Sequence, residues 1–176
     1  MSGIIQATNL QVDNIKSSGG TSAMTIDSAG QVFHPNKISF KVHLTSNQSV
    51  THQTWTYLNF NDVANGWNIG GKWDTSNTKF LPAVAGYYHI GASAVVAATG
   101  ASYLQLRFEK NNSTSMNVFS GVESGDTSTW HYAHGSSVIY LDSDDYIRFK
   151  VYHNDSEARN IVEANDYTQA WGFLLA

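Results

Sequence analysis

Asn68-x4-Trp73-x6-Phe80-x5-Gly86-x-Tyr88-x-Ile90 is the stretch on which the reading of this chain turns. Turn-forming residues alternate in it with large aromatic side chains, and a strand then opens at Gly86-Tyr87-Tyr88-His89-Ile90. Along a strand, side chains two apart share a face, so Tyr88 and Ile90 point the same way. Trp73 and Phe80 read as buried anchors, each contributing about 2–3 kcal/mol. Gly86 reads as the residue that permits a tight turn or a positive φ after Pro82. The run 87–98 is nearly continuous in apolar residues, as expected of a strand covered on both faces or at a subunit contact.

Working outward, Ile38, Phe40, Val42 and Leu44 alternate with polar residues at a period of two. Segments 103–109, 116–122, 130–141, 146–153 and 170–175 carry further strand signals, for about eight to ten strands in all. Polar turns separate them, among them Lys110-Asn111-Asn112 and Asp142-Ser143-Asp144-Asp145. Residues 61–79, rich in Asn, Gly and Asp, read as one long loop, and 156–164 as at most a single helical turn. No stretch has helical periodicity, so the fold class is all-β.

Composition narrows the function classes. Only 14% of the 176 residues are charged and the net charge is −4. With no basic stripe, nucleic acid is excluded as a partner. No apolar run approaches the roughly 20 residues of a membrane-spanning helix, so membrane insertion is not expected. Cysteine is absent, which removes disulfides and Cys-ligated zinc. The first residues, Met1-Ser2-Gly3-Ile4-Ile5-Gln6, lack a basic region followed by an apolar core, so a protein made in a cytoplasm is expected.

Residues 1–37 differ from residues 38–176. Leu10/Val12 and Met24/Ile26 suit short strands, with turns at Ser17-Ser18-Gly19-Gly20 and Asp27-Ser28-Ala29-Gly30. This segment has too few large apolar residues to bury a core of its own, and copies of itself are the simplest support.

The central motif, together with the closing Trp171-Gly172-Phe173-Leu174-Leu175, resembles the signature of C1q-like domains, whose jelly roll is shared with tumour necrosis factor ligands. Two positions depart from that pattern. Asp62 stands where an initial Phe is usual, with Phe60 two residues early, and Ile90 replaces Phe. The resemblance implies a C1q/TNF-like jelly-roll sandwich that assembles as a homotrimer, with Tyr88 and Ile90 serving core and trimer interface. The run from Leu10 to Val32, Leu10-Gln11-Val12-Asp13-Asn14-Ile15-Lys16 and Thr21 to Val32, resembles repeats of bacteriophage tail-fibre and virion-spike proteins. That implies a short β-rich trimeric neck over 1–37 before a head over 38–176, with other virion tail proteins as partners of the N-terminus.

Candidate chemistry is sparse. His131 and His134 lie three apart, so on a strand they face opposite ways and suit no single ion. Asp142, Asp144 and Asp145 form an acidic turn without a Gly-centred calcium-loop pattern. Calcium occurs in some heads of the resembled family, but no cofactor is indicated here. No Gly-x-Ser-x-Gly appears. Aromatic and polar residues in loops are the means by which proteins hold sugars. The candidate ligand-binding residues are therefore Asp126, Trp130, His131, Asp155, Glu157 and Arg159. The expectation is a non-enzymatic trimeric virion protein, made in the host cytoplasm, whose head meets a host glycan or protein. The alternatives are a small envelope-degrading esterase or glycosidase, or a cellular C1q-like secreted binder.

Overall fold

The computed structural model describes residues 12–97, 103–113, 118–120, 130–164 and 166–175. Among these there are sixteen β-strands and no helix. Chain contacts divide the protein into two compact units, Met1–Lys37 and Ile38–Ala176.

The first unit holds β1 (Asn14–Lys16), β2 (Ser22–Ile26) and β3 (Val32–Phe33) in one antiparallel sheet. Gly20 and Gly30 close its two turns with φ of 83° and 80°, a region that costs glycine little. The Asp27 carboxylate accepts from the Ala29 and Gln31 N–H groups and fixes the second turn. Ile15, Val32 and Phe33 are exposed, as expected of a segment with too few apolar residues to make a core.

The second unit is a sandwich of two antiparallel sheets. Its strands are β4 (Ser39–His43), β5 (Gln48–Val50), β6 (Thr56–Tyr57), β7 (Asp62–Ile69), β8 (Trp73–Asp74), β9 (Lys79–Phe80), β10 (Gly86–Ala97), β11 (Leu104–Lys110), β12 (Val118–Ser120), β13 (His131–Leu141), β14 (Ile147–His153), β15 (Arg159–Ile161) and β16 (Gln169–Leu174). One seven-stranded sheet runs β5-β15-β10-β16-β4-β7, with β13 also paired to β10. The other, six-stranded, runs β12-β11-β14-β9-β8, with β6 also paired to β14.

Alternation decides which residues enter the core. Phe40 and Val42 of β4, Tyr88, Ile90, Ala92, Ala94 and Val96 of β10, and Ala133 and Leu141 of β13 point inward from one sheet. Leu104, Leu106 and Phe108 of β11 meet them from the other, with Ile147, Phe149 and Val151 of β14. Gly172 lies opposite Phe40 and Ile90, and a Cβ there would come within 2.6 Å of both side chains.

Trp73 organises the aromatic centre. Its ring stacks on Phe149 with centroids 6.2 Å apart and lies 4.9 Å from Phe40. Phe40 in turn contacts Phe80, and Phe80 meets Tyr88 edge to face. The indole N–H donates to the Phe60 carbonyl at 2.8 Å, so the early Phe of the sequence supplies both a buried ring and the partner of Trp73. Asn68 clamps the backbone of Trp73: it accepts from the Trp73 N–H at 2.9 Å and donates to the Trp73 carbonyl at 3.0 Å.

Three expectations are corrected. Residues 61–79 are not one loop, because Asp62–Ile69 is a strand paired with β4. It lies at the sheet edge, where polar residues and glycine are tolerated without apolar alternation. Within 156–164 the chain forms β15 rather than a helical turn. Gly86 is the first residue of β10, opposite Leu141, and the positive φ near it belongs to Ala83 at 56°.

Replacing Asn68 with Ala removes both bonds to the Trp73 backbone, and a cost of about 1–3 kcal/mol is expected. Asn68→Asp keeps an acceptor but loses the donor, and should fall between. Urea unfolding at fixed protein concentration measures both. A loss below about 0.5 kcal/mol for Asn68→Ala, the scatter of ordinary surface substitutions, would show that the clamp does not organise the centre.

Candidate functional site

The residues that alternate with the core on β10, β13, β16, β4 and β7 form the outer face of the seven-stranded sheet. Register lines them up in rows. One row runs Ile69, Ser39, Phe173, His89, Val138, and a second runs Trp67, Lys41, Trp171, Gly91, Ser136. Tyr87 stands opposite Tyr140, their rings edge to face at 5.3 Å, and His89 meets Phe173 in the same way at 5.2 Å. The Lys41 ammonium lies over the Trp67 ring. Tyr87 and Val138 are each 55% exposed, and Ile69, Trp67, Tyr140 and Phe173 are exposed beside them.

Gly91 gives this face its relief. A Cβ there would lie 2.5 Å from the Trp171 indole, so the ring occupies the space that a side chain at 91 would take. Scattered exposed apolar residues are normal, whereas large contiguous apolar patches occur where a surface meets protein, membrane or ligand. Sequence reasoning put a candidate subunit contact on the 87–98 run but assigned it to Tyr88 and Ile90, which are buried, and so chose the wrong parity. The signal lay in the alternate residues, Tyr87/His89, Val138/Tyr140 and Trp171/Phe173.

The residues singled out from the sequence are dispersed. Asp126 lies outside the described residues. Trp130 is exposed and belongs to an aromatic cluster with Tyr132 and Tyr167, whose ring centroid is 6.0 Å from that of Trp130 and 5.9 Å from that of Tyr132. His131 is the next residue along and points the other way. It is 1% exposed, on the inward side of β13, so it offers nothing to a ligand at the loop. Tyr88 and Ile90 are completely buried within the sandwich, so their side chains are core and unavailable to a second copy.

Asp155 is also not free. Arg159 donates to both of its oxygens, at 2.6 and 3.1 Å, and the Ser156 N–H donates at 2.7 Å. The pair holds the turn between β14 and β15, and the Arg159 hydrogen bond pulls the Asp155 carboxyl below the usual carboxylate range. Glu157 projects into solvent beside it. Asp145 in the acidic turn is buried, which raises its carboxyl, but Lys110, the Asp142 N–H and Asn111 outweigh burial and leave it lowered.

The same pattern recurs on the outer face of the six-stranded sheet. Glu109 is 1% exposed, and burial alone would raise its carboxyl. Lys150 at 2.9 Å, the Tyr57 hydroxyl at 2.9 Å and Arg107 at 2.5 Å together lower it. Arg107 also stacks over Trp55, and Arg148 and Lys150 cover Tyr57.

The sequence profile of the C1q domain matches residues 39–175. No curated protein sequence matches the chain significantly. Among solved structures, the globular domain of zebrafish complement 1qA superposes with a TM-score of 0.57 at 19% identity, covering 80% of this chain and 98% of that one. Murine APRIL gives 0.60 at 11% identity, covering 79% and 99%. The Eiger TNF of S. frugiperda gives 0.56 at 10%, covering 80% and 94%. At these identities the likeness is one of fold.

The Asp155–Arg159 pair yields a pH prediction. A carboxyl lowered by folding adds stability that is complete above its unfolded pKa, about 4, and is lost as the pH falls through the lowered value. Asp155→Asn should melt several degrees below wild type at pH 7, with the gap closing below about pH 4. An equal gap at pH 7 and pH 3 would show that the charge contributes nothing to stability.

Proposed function

We propose a recognition role from one premise: the chain belongs to the C1q domain family. In this reading it is a homotrimer whose heads attach to a cell surface, binding without turnover. The observation that carries the reading is the aromatic outer face of the seven-stranded sheet. Tyr87, Val138, Tyr140 and Phe173 are too large and too close together to be left in water by a stable monomer, and a second and third copy would cover them. Three heads held together give avidity to contacts that are weak singly.

The buried carboxylates make poor general acids. Glu109, Asp145 and Asp155 are each held by Lys or Arg and each lowered. A general acid at neutral pH needs a raised carboxyl.

The finer setting is a bacteriophage tail fibre or virion spike, made in the host cytoplasm, with residues 1–37 as a trimeric neck joined to other tail proteins. Its support is the fibre-like wording of residues 10–32 and the exposed Ile15, Val32 and Phe33 of the small first sheet, which copies of the same segment would cover. The host ligand is then a surface glycan or protein, with the exposed Trp130, Tyr132 and Tyr167 among the contacts. A second reading, a cellular C1q-like binding protein, takes its support from animal neighbours such as zebrafish complement 1qA and murine APRIL. Attachment to bacterial cells against attachment to animal cells separates the two.

Light scattering at micromolar concentration should give a mass three times 19.3 kDa. The double variant Val138→Asp, Tyr140→Lys should give monomers that keep the far-ultraviolet spectrum of a β protein. A wild-type protein that is monomeric under these conditions would overturn the assembly on which the reading depends.

A further inference from the structure

A cleft of about 470 Å³ opens between the β8–β9 turn, the start of β14 and the chain on either side of Asn59 and Asn61. It falls in the range that small-molecule sites occupy, about 300–1,000 Å³. Asn59, Asn61, Asn77, Asn112, Tyr146 and the cations Lys79 and Arg148 are the lining groups that bear on its chemistry, and no carboxylate lines it.

Hydrogen-bond accounting shows a surplus of donors. The Asn61 Oδ1 already accepts from Thr45, which leaves its NH2 to give, and the Tyr57 hydroxyl spends its one proton on Glu109, so the Asn112 amide meets that oxygen as a donor and keeps a second N–H. Asn59 donates its backbone N–H to the Gln48 side chain and lines the cleft. Among the described residues neither Lys79 nor Arg148 is in ion-pair contact with a carboxylate, although Lys79 lies close enough to Asp74 to help lower it. Lys79 lies 5.2 Å from the centre of the Tyr146 ring, and Arg148 lies 3.6 Å above Tyr57 with its Nε meeting no acceptor.

The nearby acids offset only part of this charge. Asp74 is bound to the Ser76 and Asn77 N–H groups and the Asn77 side chain, which fixes the turn as a rigid wall. Glu109, opposite Arg148 in register, is shared between Arg107 and Lys150. Four cations, Lys79, Arg107, Arg148 and Lys150, thus face one strand-borne carboxylate and one turn carboxylate.

We propose that this cleft binds an acidic saccharide, its carboxylate held by Lys79 and Arg148 and its hydroxyls by the Asn59, Asn61 and Asn112 amides. A ligand that accepts more than it donates and carries a negative charge answers the surplus, and a sugar acid meets both demands in one small ring system. The proposal rests on the recognition reading above and places a ligand site away from Trp130, on the outer side of the other sheet.

The test is calorimetric or NMR titration of the intact protein with a tetramer of galacturonic acid, the matching neutral galactose tetramer, and inorganic phosphate. The uronate is expected to bind at least tenfold tighter than either comparison, and to weaken with added salt. Lys79→Ala, at the half-buried first position of β9, should lose roughly tenfold in uronate affinity with an unchanged melting temperature. Arg148→Lys keeps the charge and loses the planar fork, and should fall between. Phosphate binding as tightly as the uronate, or no loss in Lys79→Ala, would overturn the proposal. Attachment of the same variants to cells keeps the two readings apart. If wild type and Lys79→Ala adhere equally and the uronate does not bind, the cleft assignment fails and recognition stands elsewhere. If wild type adheres to no cell yet binds the uronate, the cleft assignment stands and the attachment reading fails.

Discussion

The sandwich depends on how Trp73 is held. An indole contributes a large apolar surface but carries one N–H that must find an acceptor once it is buried. Here the Phe60 carbonyl provides it, and the Asn68 amide fixes the backbone from which the ring projects. The ring then bridges the sheets, touching Phe40 of the seven-stranded sheet and Phe149 of the six-stranded one. Phe80 of β9 and Tyr88 of β10 extend the cluster. Three sequence-distant segments are thereby placed relative to each other by one side chain with two satisfied ends.

Much of this was legible because aromatic spacing and period-two alternation are local signals. Phe40 and Val42, Tyr88 and Ile90, and Leu104, Leu106 and Phe108 all declare an inward face without knowledge of their partners. Strand β7 was not legible, since Val63-Ala64-Asn65-Gly66 reads as loop. Gly66 is needed there because a Cβ would fall 2.0 Å from the Lys41 carbonyl oxygen, a contact between strands that no local pattern announces. Asp155 misled for a related reason. A carboxylate in a polar loop looks available until its partner is known, and Arg159 four residues on engages both its oxygens. His131 failed by parity alone, standing one residue from the exposed Trp130 and turned inward.

The outer cleft was beyond the reach of sequence for a different reason. Its lining comes from four places in the chain, 59–61, 75–79, Asn112 and 146–148, brought together where β6, β9 and β11 all pair with β14. None of these residues belongs to a motif. What distinguishes them is the bonds their neighbours leave unmade, and that is a property of the assembled sheet.

Strand β10 carries two requirements at once. Its even-numbered residues, Tyr88 to Val96, fill the sandwich, while Tyr87 and His89 face outward among the aromatics of β13 and β16. A slip of one residue would exchange the two sets and put Tyr87 and His89 into the core. Two glycines resist that exchange from opposite sides. Gly91 leaves room for Trp171 on the outer face, and Gly172 leaves room for Phe40 and Ile90 on the inner one. They stand on neighbouring strands, Gly91 opposite Trp171 and Gly172 opposite Ile90. The register that closes the core is therefore the same register that shapes the exposed face, because Trp171 and Ile90 each lean on a glycine of the adjacent strand.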